Sequence, residues 1–340
     1  MNPDGTSAET VTPDRVVHPV YLPFSRGTLL QHFAPVGVLT AAQKADLSWR
    51  DKHVRHYEDS ARLASAHSEA EHAGPAGNQV PTGCTAANHQ IEKDERFWIA
   101  TALMSIFHSQ DRAARLAALL NSVFREFPVA GQASDLPDIH DWDSALQEDA
   151  EHPLQLFFEV NLPSPQSYKQ WLALHVDQQT LLPWIRAKHV GLQQEGATKA
   201  DAMLIAPKTG VAIVFEAKVL SDASSHTERD ATRNQIARNI DVLLEPNPRL
   251  QPPLTLRRPQ RTCFLLVTPE LFHRNPSTRL YGHLMNEYRK DTALLQQHLP
   301  HRTGEELDGV SSRLGWTTFE EFNRVLPGAC AWLAPTGALA

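Results

Sequence analysis

A chain of 340 residues, 41% of them hydrophobic, is long enough to bury a sizeable core as one elaborated domain or two. Its formal charge of −7, from 39 acidic and 32 basic residues, argues against a protein that coats nucleic acid by charge alone. Three widely spaced cysteines without a Cys-X-X-Cys pair exclude a disulfide framework, and no apolar run approaches the ~18 residues of a membrane span, so a cytoplasmic protein with no membrane partner is expected.

Residues 1–27 carry Pro, Thr and Asp with little periodicity and are expected to form an irregular arm. Residues 40–70 have helix-like spacing with Thr40 as N-cap, but the apolar face is thin. His53 and His56 lie three apart there, within reach of one metal, yet without a third ligand a solvated helix face is the better account. After the loop 74–83, residues 92–127 place Phe97, Ile99, Leu103, Ile106 and Phe107, then Leu116, Leu119, Leu120, Val123 and Phe124, at helical spacing. Ser109-Gln110-Asp111 between them predicts an α-hairpin. The acidic, Pro-broken stretch 128–153 holds Asp138, His140, Asp141 and Asp143, which could take a cation but read better as a charged loop. Together 28–153 make a mainly helical N-terminal region. LQLFFEVNL (154–162) predicts a strand, and 164–190 a long helix broken or kinked at Pro183, with Ser164-Pro165 at its start.

The most informative stretch is 198–244. AMLIA (202–206) and VAIVFEAKV (211–219) are short β-branched runs flanking Pro207-Lys208-Thr209-Gly210, a hairpin. Folding about Thr209 pairs residues whose numbers sum to 417–418, which sets Asp201 opposite Glu216 and Ala217. Glu216 and Lys218, two apart, share a strand face. Two carboxylates and a lysine therefore converge, and such a pair is usually neutralised by a cation or a shared proton. The oxygen donors suit Mg²⁺, with Mn²⁺ as substitute, better than zinc. Against this stands a plain account, a charge pair on an exposed strand face.

Asp201, fourteen intervening residues and then Glu216-Ala217-Lys218 resemble the PD-(D/E)XK nuclease superfamily, the restriction-endonuclease-like fold. The similarity covers about 192–269. Gln235 and Asn239 in RNQIARNID resemble the Gln-led helix after the catalytic strand, and RTCFLLVTP (261–269) stands where the next core strand belongs. Ala200 replaces the usual Pro, and Asn239 stands where an aromatic is often found. The resemblance implies a mixed central sheet flanked by helices over 154–300, with 301–340 a C-terminal helix and tail. It implies Mg²⁺-dependent phosphodiester hydrolysis of nucleic acid, DNA before RNA, in restriction, defence or repair. In that scheme Asp201 and Glu216 hold the metal, Lys218 serves the attacking water and Gln235 supports the site. A preceding helix supplies one more acid, for which Glu195 ranks ahead of Asp177 and Glu159. Many members act as homodimers. The alternative is a non-catalytic nucleic-acid-binding or assembly protein on a decayed nuclease core; a third is an interaction protein whose acidic N-terminal half binds a protein partner.

Residues 186–290 hold sixteen Lys/Arg against ten Asp/Glu, so the segment with the motif is the basic part of an acidic chain. A helix expected over 227–244 buries Ile236, Ile240, Leu243 and Leu244, leaving Arg229, Arg233, Arg238 and Asn239 as nucleic-acid contacts, or equally a solvated charged face. The Pro- and Arg-rich 249–261 offers a second backbone contact. Residues 278–299 look helical, and 317–326 a short helix with Thr317 as cap and Glu320 three on.

Overall fold

A computed structural model describes residues 22, 24–33, 54–55, 57–58, 93–125, 139, 141–188, 195–246, 250 and 252–333. It shows an α/β protein: one open five-stranded sheet and, among the described residues, twelve α-helices. The strands β1 (Gln155–Leu162), β2 (Thr198–Ala206), β3 (Val211–Ala217), β4 (Thr262–Thr268) and β5 (Leu314–Thr318) lie side by side in chain order. β1, β2 and β3 pair antiparallel; β3, β4 and β5 pair parallel.

The hairpin forms in the expected register, Ala202 facing Phe215 and Ala206 facing Val211, a constant sum of 417. Gly210 takes φ +75° in its turn, where a Cβ would also come within 2.7 Å of Arg258 Cγ. The parallel strands β3 and β4 are buried along their whole length, as both faces of a parallel sheet must be, which explains their unbroken apolar runs.

On one face, α1 (Arg26–His32), α2 (Glu95–Phe107), α3 (Arg112–Arg125) and α4 (Trp142–Ala145) pack with Leu204, Phe215 and Leu265. The predicted α-hairpin is thus present as α2 and α3, and its helices share a core with the sheet. Asp141, a weighed cation ligand, instead caps α4 by accepting from Asp143 N and Ser144 N. Asp138, His140, His53 and His56 lie outside the described residues.

The segment 164–190 becomes two helices, α5 (Gln166–Gln179) and α6 (Pro183–Lys188). Pro165 takes the cap position of α5 without a side-chain bond, and Ser164 instead donates to Glu195.

The second face is covered by α7 (Gln235–Leu243), whose Ile236, Ile240 and Leu243 are buried with Met203, Val214 and Phe264. Each such side chain contributes about 1.5–3 kcal/mol by leaving water. The helix is shorter than the expected 227–244. Asn234 caps it, accepting from Ala237 N at 2.9 Å, and the preceding residues are tied into a loop by Asp230, which accepts from Tyr168 Oη and Thr232 N. Arg257 donates to the carbonyls of Val242, Leu243 and Glu245 at the other end. It is buried there as a helix stop, which removes it from the expected phosphate contacts of 249–261.

Between β4 and β5 run α8 (Glu270–Arg274), α9 (Leu280–Lys290), α10 (Ala293–His298) and α11 (Gly304–Leu307). β5 is a strand in the stretch expected to hold only a helix and tail. Gly315 allows it: a Cβ there would lie 2.7 Å from Val123 Cγ1 of α3. The last helix, α12 (Phe319–Val325), is capped by Thr318, one residue after the expected Thr317. No helix among the described residues is long and apolar enough to cross a membrane.

Candidate functional site

The hairpin register sets Asp201, the fourth residue of β2, beside Glu216 near the end of β3, and Asp201 Oδ2 accepts from Ala217 N at 2.7 Å. Lys218 follows as β3 leaves the sheet, its backbone N–H extending the parallel ladder to Val267 O at 2.9 Å. The site therefore lies at the carboxyl ends of parallel strands, where open α/β sheets generally bind their ligands. β1 contributes an irregularity at this point. Glu159 stands opposite Asp201 with φ +57°, the left-handed region, and pairs with Lys199. Inward-facing parity changes there: Leu156 and Phe158 belong to one face's core, Val160 and Leu162 to the other.

Glu216 is 1% exposed and fully engaged. Oε1 accepts from Lys218 Nζ at 2.6 Å and Gln235 Nε2 at 2.5 Å, and Oε2 accepts from Asn239 Nδ2 at 2.8 Å. One turn of α7 separates the two amides, so both face β3. Gln235 is fixed in turn, its backbone N–H donating to Ser224 O at 2.8 Å. Asn239 is thus an inward group orienting Glu216; its expected nucleic-acid contact is corrected.

A residue missed in sequence completes the cluster. Glu95 opens α2, just after the cap residue Asp94. Its Oε1 accepts from Val219 N at 3.0 Å and Ser221 Oγ at 2.5 Å, and its Oε2 lies 3.9 Å from Lys218 Nζ. Three carboxylates therefore share one lysine. Burial, and next the charge of Glu216, push Asp201 up to about 8, and burial likewise raises Glu216. Burial opposes the charge on Lys218, but Glu216, Glu95 and Asp201 together raise its pKa and keep it an ammonium.

Glu195, the sequence choice for the extra acid, belongs elsewhere. It is buried against Arg233 Nε at 2.9 Å, Arg238 Nε at 3.3 Å and the Ser164 hydroxyl. Arg233 is fully buried, bonded also to Asp241 Oδ2 at 2.8 Å, with its guanidinium carbon 3.6 Å from the Tyr168 ring centroid. Arg238 holds the carbonyls of Gly196 and Ala197. Neither is a surface phosphate contact; their carboxylate neighbours claim them. Arg229, half-buried in the loop before α7, makes no ion pair among the described residues.

Comparison with known protein families, curated proteins and solved structures gave no match for the chain.

Proposed function

We propose that the Asp201–Glu216–Lys218–Glu95 cluster is the centre of a Mg²⁺-dependent nuclease, acting on DNA before RNA, on a restriction-endonuclease-like core. The observation that carries this is the crowding of carboxylates: Glu216 and Glu95 both lie within 4 Å of the one Lys218 ammonium, Asp201 stands beside Glu216, and burial raises the pKa of Asp201 and Glu216. Structural ion clusters are normally balanced, and perturbed carboxylates at strand ends mark functional sites.

The donors fit a hard divalent cation, since Asp201, Glu216 and the Ala217 carbonyl offer only oxygen. Such an ion supplies Lewis acidity at a phosphate oxygen and lowers the pKa of a bound water. The protein groups have separate tasks. Gln235 and Asn239 fix the Glu216 carboxylate, and the Ala217 N–H fixes Asp201. Lys218, held as an ammonium, donates only; it orients the attacking water and stabilises the negative charge gathering on phosphorus-bound oxygens. Glu95 Oε2, beside Lys218, accepts the proton that the water loses as its oxygen bonds to phosphorus and the leaving oxygen departs.

The test is cleavage of supercoiled plasmid, single-stranded DNA and RNA with Mg²⁺ or Mn²⁺, wild type beside Lys218→Ala, Glu216→Ala and Glu95→Gln. Metal-dependent cutting lost in all three variants supports the site. An inert wild type with no Mg²⁺ binding that depends on Glu216 sinks it. One feature favours a second reading, non-catalytic nucleic-acid binding on a decayed core: three N–H donors already occupy Glu216. That reading requires oligonucleotide affinity that is indifferent to Mg²⁺.

A further inference from the structure

Two buried nitrogen and oxygen atoms beside the site have no role in it so far. Tyr281, in the first turn of α9, is fully buried, yet its hydroxyl makes no hydrogen bond of normal geometry among the described residues. The Nε of Arg279, the residue capping the same helix, is in the same condition. An unsatisfied buried donor or hydroxyl costs about 1–3 kcal/mol, so each one in a native protein calls for an account, such as a bound water or ion, stored strain or a functional role.

Their location is fixed by the segment that leaves β3. Ser221 Oγ donates to Glu95, and the next residue, Asp222, accepts from Leu280 N at 2.8 Å and Tyr281 N at 3.2 Å. The first turn of α9 is thus bolted to the four residues following Lys218. Arg279 is half-exposed, lies 4.5 Å over the Phe272 ring, and donates Nη1 only to its neighbour's carbonyl, Thr278 O, at 3.2 Å. It makes no ion pair among the described residues, unlike Arg233 and Arg302 in the same domain. Tyr281 feels Arg279 first among charged groups, then Asp222 and Glu95, while burial pushes its hydroxyl up to about 12 and keeps it protonated. The α9 side therefore offers a half-exposed guanidinium outside any ion pair among the described residues, an acceptor oxygen beside it and the Trp316 ring, 6.0 Å from that of Tyr281.

We propose that Arg279 is the phosphate-binding cation on the α9 side of the centre, gripping a backbone phosphate of the nucleic-acid strand, and that Tyr281 positions it by accepting its Nε–H. The two Nη groups then meet the phosphate oxygens in the bidentate geometry that guanidinium favours. This rests on the nuclease reading of Asp201, Glu216 and Lys218 and adds to it the group that places the substrate strand.

The experiment measures binding of fluorescein-labelled single-stranded and duplex oligodeoxynucleotides in EDTA across a salt series, together with steady-state cleavage in Mg²⁺, for wild type, Arg279→Gln, Arg279→Lys and Tyr281→Phe. Arg279→Gln is expected to weaken binding about 10-fold and to lower the salt slope by about one, with Arg279→Lys keeping the slope. Tyr281→Phe is expected to melt close to wild type, because its hydroxyl has no hydrogen bond of normal geometry in the free protein and only Arg279 near it, yet to raise KM several-fold with kcat little changed. A Tyr281→Phe protein that binds and cuts as wild type, or an Arg279→Gln protein with an unchanged salt slope, overturns the proposal while cleavage by wild type keeps the nuclease reading. A wild type that neither cuts nor binds removes both.

Discussion

Two buried charge clusters flank α7, and they are built on opposite principles. On the side of Glu195 and Asp241, every carboxylate has a cation. Arg233 bridges the two, and Asp241 also meets Arg302 at 2.8 Å and His301 at 3.1 Å. Against the cost of burial, those cations hold the Asp241 carboxyl well below the usual range. On the side of Asp201 and Glu216, Lys218 alone comes within 4 Å, of Glu216 and Glu95, while Arg96 and Lys199 reach Asp201 only at longer range, and Asp201 is pushed up to about 8. Burial is alike in the two places; charge balance is not. The balanced cluster ties the loop at 195 and the segment at 301 to one helix, whereas the other keeps a carboxyl whose proton a cation can displace.

Breaking the balanced cluster should cost most. Arg233→Met strands Glu195 and Asp241 in the interior, and urea unfolding is expected to show a loss of about 3–5 kcal/mol. Asp201→Asn at pH 7 should change stability by less than about 1 kcal/mol, because the protein already holds a proton on that carboxyl, yet reduce cleavage at least ~10²-fold. Equal destabilisation by the two variants would erase the contrast drawn between the clusters.

The pH dependence sharpens the same point. A cation entering beside Asp201 must displace its proton, so Mg²⁺ affinity measured by calorimetry should rise with pH and level off above about 8. A flat profile between pH 6 and pH 8 would contradict the shared-proton account. The smallest effect concerns the N-terminal packing. His32 Nδ1 bonds Leu156 O, and its Nε2 meets His108 Nε2 at 2.9 Å. Burial lowers both pKa values, with Arg112 adding to the effect at His108. Neutral rings are favoured in the fold, so their contribution is complete above the unfolded value near 6.5 and declines as pH falls below it. Stability should drop as pH falls from 7 to 5, and His108→Gln should flatten that slope.

The hairpin and its three core residues are legible in the sequence because local rules suffice: turn chemistry sets the register, and the register sets who faces whom. Gln235 follows from helical spacing on the next element. Glu95 does not, since it lies more than a hundred residues before Asp201 and reaches Lys218 only through the packing of α2 on the sheet. Arg233 looks like a surface cation only if the helical period runs on through 227–234, a stretch that Asp230 and Thr227 hold as a loop, and Arg238, inside α7, meets Glu195 and the carbonyls of Gly196 and Ala197, which no local period locates. β5 is hidden by its brevity and by Gly315, whose value lies in what it leaves room for.

Position 159 shows how this arrangement constrains change in the sequence. A left-handed backbone at a glutamate costs on the order of 1 kcal/mol, which glycine would avoid and asparagine would lessen. Either replacement would gain conformational ease and lose the carboxylate that neutralises Lys199 next to the site. A glutamate at 159 therefore exchanges backbone ease for a negative charge beside Lys199 and Asp201.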